Sequence, residues 1–240
     1  MNPQQPLQDI WDVRNIRLAY LWTFLNTSAR GIWADTVYTV YIFLIAGNSN
    51  SNVGYLAGAN GITQIFIAPI SGWLADNHDR ASILHISAAI GFCAVVATLI
   101  SVLMGSYYSF FIANIIFAFF QSSSAPIMDS LMADSIGFGL RSKMYAYLYS
   151  IRQASGVIGP CVSLVMFHII GNKWAASTCQ TVMLVGLSLH IIPMMVLCLF
   201  EKPTLAIQSQ DTGYKPLTQQ PETPGLQADA AKPTGIETED

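Results

Sequence analysis

Long runs of apolar residues alternate with short polar turns between residues 17 and 200 of this 240-residue chain. A bilayer core about 30 Å thick needs about 20 apolar residues at the helical rise, and each run reaches that length. Lipid cannot satisfy free backbone amides and carbonyls, and the runs lack the alternation of barrel strands. The pattern therefore predicts an all-α polytopic membrane protein. Its six predicted spans cover approximately residues 17–46, 53–75, 82–104, 107–133, 143–170 and 174–200.

The composition supports a membrane class. Hydrophobic residues make up 52% of the chain and charged residues 10%, well below the roughly 25% charged residues of soluble domains. Residues 201–240 are different in composition and contain five prolines, seven acids and three lysines. Such a segment cannot bury enough apolar surface to fold. We therefore predict a cytoplasmic N-terminal segment (1–16), a six-helix transmembrane domain (17–200) and a disordered cytoplasmic tail (201–240).

Basic residues cluster in the polar segments on one side of the predicted spans, and only Lys173 lies on the other side. Because cytoplasmic loops carry an excess of Lys and Arg, both termini are predicted to be cytoplasmic. The polar stretch before the first span argues against a cleaved secretory signal. The clustered residues are Arg14, Arg17, Arg80, Arg141, Lys143 and Lys202.

The four cysteines lie within apolar spans and have neither disulfide nor metal spacing, so no metal site is predicted. We expect Cys179, near the outer end of the last span, to be more accessible than Cys93 to an impermeant thiol reagent. The chain shows no signature of a cofactor-binding or nucleic-acid-binding protein. The expected surroundings are the lipid bilayer and a small-molecule solute.

Four ionisable residues crowd the short turn between spans two and three: Asp76, His78, Asp79 and Arg80. A carboxylate and a guanidinium four residues apart can meet at a helix end. Asp134, at the end of span four, could join them. The alternative interpretation is a solvated turn that only fixes topology through Arg80.

The stretch "GWLADNHDRA" resembles the loop between helices 2 and 3 of the major facilitator superfamily, whose pattern is G-x-x-x-D-[RK]-x-G-[RK]-[RK]. Gly72, Asp76 and Arg80 match that pattern. The turn between spans four and five also resembles the family, through Asp134 and Arg141. The positions that depart from the loop pattern are Asn77, Asp79 and Ala81.

A third stretch, "SGVIGPCVS", resembles the fifth-helix signature of the same family, G-x-x-x-G-P-x-x-G-G. Gly159 and Pro160 match it. Three positions carry other residues where the signature has glycine: Ser155, Ser163 and Leu164.

The resemblance implies the N-terminal six-helix half of a major facilitator transporter, folded as a three-plus-three inverted repeat. It implies secondary active transport of a small solute by alternating access, without enzymatic activity, and a cytoplasmic gate latched by the loop motif. Family members normally have twelve helices, so a homodimer or a separate second six-helix half is expected. The alternative is a truncated or non-transporting membrane protein that retains the fold.

Polar residues within the spans are the candidates for a substrate or proton cavity. Spans one and two contain several polar residues within them, whereas span three has almost none. Spans four, five and six repeat this order, as an inverted repeat requires. Glycines along span two are expected to let neighbouring helices approach closely. The cavity candidates are Asn26, Arg30, Asp35, Asn60, Gln64, Asn114, Gln121 and Arg152.

Three of these candidates are charged, and a charge at mid-bilayer costs about 2.5–3.5 kcal/mol on insertion scales. Asp35 follows Arg30 by five residues, about 140° around a helix, so the two do not share a face. We therefore expect Arg152 to be the partner of Asp35, which leaves Arg30 and Asn26 facing a substrate. The alternative is that all three charges form a structural network.

A rhomboid-like intramembrane protease is an alternative of a different functional class. "QASG" at residues 153–156 and His190 in span six resemble its G-x-S-G motif and distal histidine, but the first glycine is absent. The sequence therefore favours a transporter over a protease.

Overall fold

The computed structural model describes residues 13–136, 140–171 and 173–202, and all regular structure in them is helical. Most of the predicted N-terminal segment and tail lies outside the described residues. The helices are α1 (Arg14–Trp33), α2 (Thr36–Ile45), α3 (Asn50–Asn77), α4 (Arg80–Met104), α5 (Tyr107–Asp134), α6 (Arg141–Ile170) and α7 (Ala176–Leu197).

Five of these helices, α3 to α7, are long and apolar enough to cross a membrane. They make the chain an integral, multi-pass membrane protein, and they correspond to predicted spans two to six. The prediction of six continuous helices is wrong for the first span. It is divided into a 20-residue α1 and a 10-residue α2. Asp35 lies between them with φ −92° and ψ −106°, outside the helical region.

Capping residues set two of the helix boundaries. Asp79 precedes α4, and its carboxylate accepts hydrogen bonds from the backbone N–H of Ser82 at 3.2 Å and from its hydroxyl at 2.6 Å, as an N-cap acid does. The same helix ends at Gly105, whose φ of 62° is the left-handed conformation favoured by glycine at C-caps. The short polar turns therefore begin and end the apolar helices.

The main packing pairs are α4–α5, α1–α6, α3–α5, α1–α7 and α4–α7. Helices α4, α5 and α7 bury about half of their apolar windows, whereas α3 and α6 bury little of theirs. On α3 only Leu56, Ser71 and Ala75 are buried. Long faces of α3 and α6 are therefore not covered by any helix in the described part of the chain.

Both ends of the described chain meet at one end of the bundle, which we name the termini end. Arg14 pairs with Glu201, and Lys202 Nζ lies 3.3 Å from Asp79 Oδ2. The turns after α2, α4 and α6 lie at the opposite, loop end, where the Tyr107 hydroxyl donates to the Asn52 carbonyl at 2.8 Å.

Cysteine burial bears on one expectation. Cys179 is fully buried, whereas Cys93 is exposed on the bundle surface. Cys179 therefore faces the bundle core rather than the surface, and Cys93 lies on the outer face of the apolar helix α4, so the order of accessibility to an impermeant thiol reagent stays a prediction.

Candidate functional site

Side chains of α2, α3 and α5 form one hydrogen-bonded network. Asn114 Oδ1 accepts from the Tyr38 hydroxyl at 2.8 Å and from Asn60 Nδ2 at 3.3 Å. Gln64, one turn along α3, donates to Asn60 Oδ1. Asn114 Nδ2 is buried and has no hydrogen-bond partner among the described residues. An unpaired buried donor is costly, so the network retains a donor that a water or ligand oxygen could satisfy.

Arg30 extends this polar surface. With its amide oxygen turned toward α1, Gln121 accepts from both terminal nitrogens of Arg30, with Nη2 at 3.1 Å. Gln121 lies two turns from Asn114 on α5, so the two amides share a face. Asn26, one turn before Arg30, is half-buried, and its side chain makes no hydrogen bond with other described residues. Six of the predicted cavity residues therefore lie on neighbouring faces of α1, α3 and α5, and Tyr38 of α2 joins them. The six are Asn26, Arg30, Asn60, Gln64, Asn114 and Gln121.

Arg152 interacts electrostatically with an acid that the sequence analysis did not single out. Its charge acts on the Asp129 carboxylate of α5. Asp129 Oδ1 is buried and has no hydrogen-bond partner among the described residues, and the Tyr145 hydroxyl donates to the Asp129 carbonyl at 2.6 Å. Arg152 therefore helps to compensate a partly buried carboxylate of α5.

The predicted pair of Asp35 and Arg152 is wrong, since no ion pair joins them in the described structure. Helices α1 and α6 both run from the termini end to the loop end, and they cross where Gly31 contacts Gly159. Asp35 lies four residues beyond that crossing and Arg152 seven residues before it. At 1.5 Å per residue the two are separated by about 16 Å along the bundle.

Asp35 instead borders a half-open pocket of about 440 Å³ between the break in the first span and α6. Its carboxylate does not cap α2. Arg30 attracts it electrostatically, but no salt bridge between the two exists in the described structure. The remaining residues of this pocket come mainly from α6 and include Pro160.

At the termini end, Arg80 connects α3 with α5. Its Nη1 pairs with Asp134 and donates to the Ser130 carbonyl at 3.3 Å, while Nη2 lies 3.9 Å from Asp76 Oδ1. Arg80 Nε also donates to the Ala75 carbonyl at 3.2 Å. The structure thus brings together the three charged residues of the predicted cluster, with Asp134 as the close partner and Asp76 as the distant one.

A comparison with protein families settles the class. Residues 19–223 match the family model described as Major Facilitator Superfamily. The chain belongs to this superfamily. Its members are membrane transporters rather than enzymes. Among curated proteins, none matches the chain.

The superfamily's fifth-helix motif has a packing role here. Gly159 faces Gly31 so closely that a Cβ on it would overlap the Gly31 backbone and lie 2.7 Å from the Ile32 nitrogen. Four residues later, the Ser163 hydroxyl donates to the Ile32 carbonyl at 2.8 Å. Pro160 follows Gly159 and lies 3.3 Å from the position that a Cβ on Gly31 would take. The motif therefore fixes the crossing of α1 and α6.

Unlike Gly159, the glycines of α3, including Gly72 of the superfamily loop motif, do not pack against another described helix. A Cβ on Gly72 would have no atom of another described residue within 4 Å, and the same holds for Gly54, Gly58 and Gly61. The expectation that these glycines let helices of this chain approach closely is wrong. Arg141, at the start of α6, donates from Nε to the Ile136 carbonyl at 3.3 Å and so contacts the end of α5.

The geometry does not support the protease alternative. The Ser155 hydroxyl donates to the backbone carbonyls of Ile151 and Arg152. His190 is enclosed by the rings of Trp33 and Phe117, and neither of its nitrogens has a hydrogen-bond partner among the described residues. Ser155 and His190 therefore do not form a nucleophile–base pair.

Sequence analysis missed three residues of this site. Asp129 is an acid inside predicted span four, so the same insertion cost that selected Asp35 would have selected it. Tyr38 was counted as apolar, although a buried tyrosine hydroxyl needs a partner. Gly31 has no sequence motif, and only the close crossing with Gly159 shows its role.

Proposed function

We propose that this chain provides half of a secondary transporter that moves a small solute by alternating access. One observation carries the proposal. Arg30 and Gln64 are exposed and the amides of Asn60 and Gln121 are half-exposed, so the described helices leave this polar surface partly open. A charge facing lipid at mid-membrane costs about 2.5–3.5 kcal/mol, so a water-filled cavity accounts for this surface better than lipid does.

The proposed half consists of two inverted three-helix repeats, with α1–α2, α3 and α4 in the first and α5, α6 and α7 in the second. The packing pairs support this arrangement. In this repeat α1 corresponds to α5, α3 to α6 and α4 to α7. The observed α1–α6 pair then corresponds to the observed α5–α3 pair, and α1–α7 corresponds to α5–α4. The α4–α7 pair corresponds to itself. Transporter repeats of this kind place the substrate site at their interface.

In this proposal the termini end faces the cytoplasm, as the Lys and Arg distribution indicates. Arg80 and Asp134 then hold the cytoplasmic ends of α3 and α5 together, with Asp76 as a weaker partner. Gly72 and Arg141 complete the superfamily motif at this end. The cluster acts as a latch that is closed in this conformation and opens when the cytoplasmic gate opens.

A second six-helix unit is proposed to cover the open polar surface. The uncovered face of α3 supports a second unit, because glycines without neighbouring atoms lie there among large exposed apolar side chains. Small residues of this kind are enriched where membrane helices associate. The unit is either another copy of this chain or a separate second half. The exposed side chains are Tyr55, Ile62, Ile65, Phe66, Ile70 and Trp73.

Transport is tested with the purified full chain in proteoliposomes containing a pH-sensitive dye. A panel of cationic, anionic and neutral solutes is applied with and without a proton gradient. Flux of at least one solute is expected, and Arg30→Gln should reduce it about ten-fold or more, as loss of a charge-assisted hydrogen bond does. Lys173→Gln, which removes a charge at the loop end, should leave flux unchanged. Absence of flux from well-folded protein would support the non-transporting alternative, unless crosslinking in native membranes identifies a separate second half, which is then added to the proteoliposomes.

Assembly is tested by cysteine crosslinking in native membranes. After Cys93, Cys161 and Cys198, which are exposed, are replaced by serine, Gly58→Cys is introduced on the open face of α3. Ile100→Cys, on the exposed surface of α4, is the matched control. A product of twice the mass, formed only by Gly58→Cys, indicates a homodimer. A product of another mass indicates a separate second half. Equal crosslinking of both variants would contradict a specific interface at α3.

A further inference from the structure

The break in the first membrane span opens into a pocket that differs in chemistry from the amide network. Asp35 borders it together with Thr36 and Val37 of α2, and α6 supplies the opposite wall. Its volume of about 440 Å³ falls within the range of small-molecule sites. The cavity is therefore large enough for a ligand of a dozen or so heavy atoms.

The Asp35 carboxylate has no direct partner in the described structure. It makes no capping hydrogen bond to α2, although capping is the ordinary role of an acid at that position. Arg30 attracts it electrostatically, but the Arg30 guanidinium is hydrogen-bonded to Gln121 of α5. Since an isolated charge in a membrane span is costly, an occupant that neutralises Asp35 would be stabilised there.

The rest of the pocket is apolar and aromatic. Leu164 and Phe167 line its α6 wall, and the Trp174 ring packs against Phe167 with centroids 4.6 Å apart. Trp174 is half-exposed, so its ring remains available to a ligand. Aromatic faces attract cations, most strongly tryptophan. The final turn of α1 also borders the pocket at Gly31, and the C-terminal end of a helix favours positive charge.

Two groups at the pocket oppose a cation. The N-terminal end of α2 carries partial positive charge, and His168 lies on the α6 wall. Neither excludes a cation, because Asp35 lies at that helix end and carries a full negative charge. A divalent metal is disfavoured, because Ca²⁺ needs six to eight oxygen ligands and Asp35 is the single carboxylate that borders the pocket.

We propose that this pocket binds an organic monocation, with Asp35 pairing the ammonium group and the Phe167–Trp174 pair holding its apolar or aromatic body. The inference deepens the proposed transport function by assigning a substrate class to a site beside the polar surface. Binding is a separate property, however, and can be measured in the absence of flux.

The test is isothermal titration calorimetry on the full chain in nanodiscs, with benzyltrimethylammonium as the probe. Benzyl alcohol is the neutral control ligand. We expect benzyltrimethylammonium to bind about ten-fold more tightly than benzyl alcohol. Asp35→Asn should abolish that preference, and Asp79→Asn, which removes the same charge at the termini end, should preserve it.

Two further variants keep the test decisive if Asp35→Asn does not fold. Asp35→Glu retains the charge and should retain the preference for the cation. Trp174→Leu, at a half-exposed position, should weaken benzyltrimethylammonium binding several-fold and change benzyl alcohol binding less. Equal binding of the two ligands to the wild type, or an Asp35→Asn variant that still prefers the cation, would overturn the proposal.

The two proposals fail separately. Solute flux without benzyltrimethylammonium binding would retain the transporter and overturn the cation pocket. Asp35-dependent binding without flux of any solute would retain the pocket and count against transport. Asp35-dependent proton uptake without cation binding would also overturn the cation pocket and would identify Asp35 as a proton site.

Discussion

Gly31 of α1 and Gly159 of α6 face each other at the point where the two helices cross. A Cβ on Gly159 would overlap the Gly31 backbone, and a Cβ on Gly31 would lie 3.2 Å from Gly159 Cα. Ser163 adds a hydrogen bond to the Ile32 carbonyl one turn further along. This crossing determines how far Asp35 and Arg152 are from each other along the bundle.

Gly159→Ala is expected to destabilise the bundle by about 1–3 kcal/mol, because backbone rather than a flexible side chain blocks the new methyl group. Gly156→Ala is the matched control on the same helix. Its Cβ would lie 3.9 Å from the Thr27 methyl group, an ordinary contact. Equilibrium unfolding in detergent measures both. Equal stability of the two variants would show that the crossing tolerates a wider helix separation.

The termini-end latch is predicted to depend more on Asp134 than on Asp76. The Asp134 side chain is 33% exposed and pairs closely with Arg80, whereas the Asp76 side chain is 77% exposed at 3.9 Å. Asp134→Asn should lower the free energy of unfolding by about 1.5–3 kcal/mol. Asp76→Asn should lower it by less than about 1 kcal/mol, as exposed ion pairs do. A larger loss of stability for Asp76→Asn than for Asp134→Asn would show that the Arg80–Asp76 pair, rather than Arg80–Asp134, holds this end together.

Local hydropathy located the apolar helices well. Predicted spans 82–104 and 107–133 agree closely with α4 (Arg80–Met104) and α5 (Tyr107–Asp134), because insertion into lipid depends mainly on the composition of a segment. The break at Asp35 was not predictable, since one carboxylate in an apolar run does not by itself end a helix. It depends on what surrounds that position in the folded bundle.

Partner choice among the buried charges was also beyond sequence analysis. Helical periodicity separated Arg30 from Asp35 by angle, and this was sufficient to place them on different faces. It could not give the axial register of α6 relative to α1, because that register depends on the crossing at Gly31 and Gly159. Arg152 therefore interacts with Asp129, an acid whose insertion cost could be read from the sequence but whose relation to Arg152 follows only from the axial register of α5 and α6.

A double-mutant cycle should separate the two partner assignments. Arg152→Gln combined with Asp129→Asn is expected to be non-additive, with a coupling of about 0.5–3 kcal/mol, because the charges interact. Arg152→Gln combined with Asp35→Asn should be additive within about 0.5 kcal/mol. Free energies of unfolding in one detergent provide all the values. Additivity for both pairs would mean that Asp129 is compensated by another group.

The Asp79 cap predicts a specific pH dependence. Hydrogen bonds from Ser82 lower the pKa of Asp79, and Lys202 lowers it further. A carboxyl group whose pKa is lower in the folded state contributes stability at neutral pH and loses it as pH falls through that lowered value. Ser82→Ala should therefore be less stable than the wild type at pH 7, and the difference should diminish below the ordinary aspartate pKa of about 3.9.

Ser188→Ala provides the control for this pH series. The Ser188 hydroxyl donates to the Leu184 carbonyl, and neither group titrates. Its effect on the melting temperature should be the same across the series. A Ser82→Ala effect that also stays constant with pH would show that the serine acts through helix propensity rather than through the Asp79 carboxylate.

The proposed orientation can be tested with one cysteine at each end of the bundle. Ser51, in the first turn of α3, is exposed at the loop end, and His78 is exposed at the termini end. Cys93, Cys161 and Cys198 are exposed on the bundle, so each new cysteine is introduced after the native ones are replaced by serine. If basic residues hold the termini end in the cytoplasm, an impermeant maleimide should label Ser51→Cys in intact cells. It should label His78→Cys only after permeabilisation. The opposite pattern would invert the topology and place the Arg80–Asp134 latch on the outer face of the membrane.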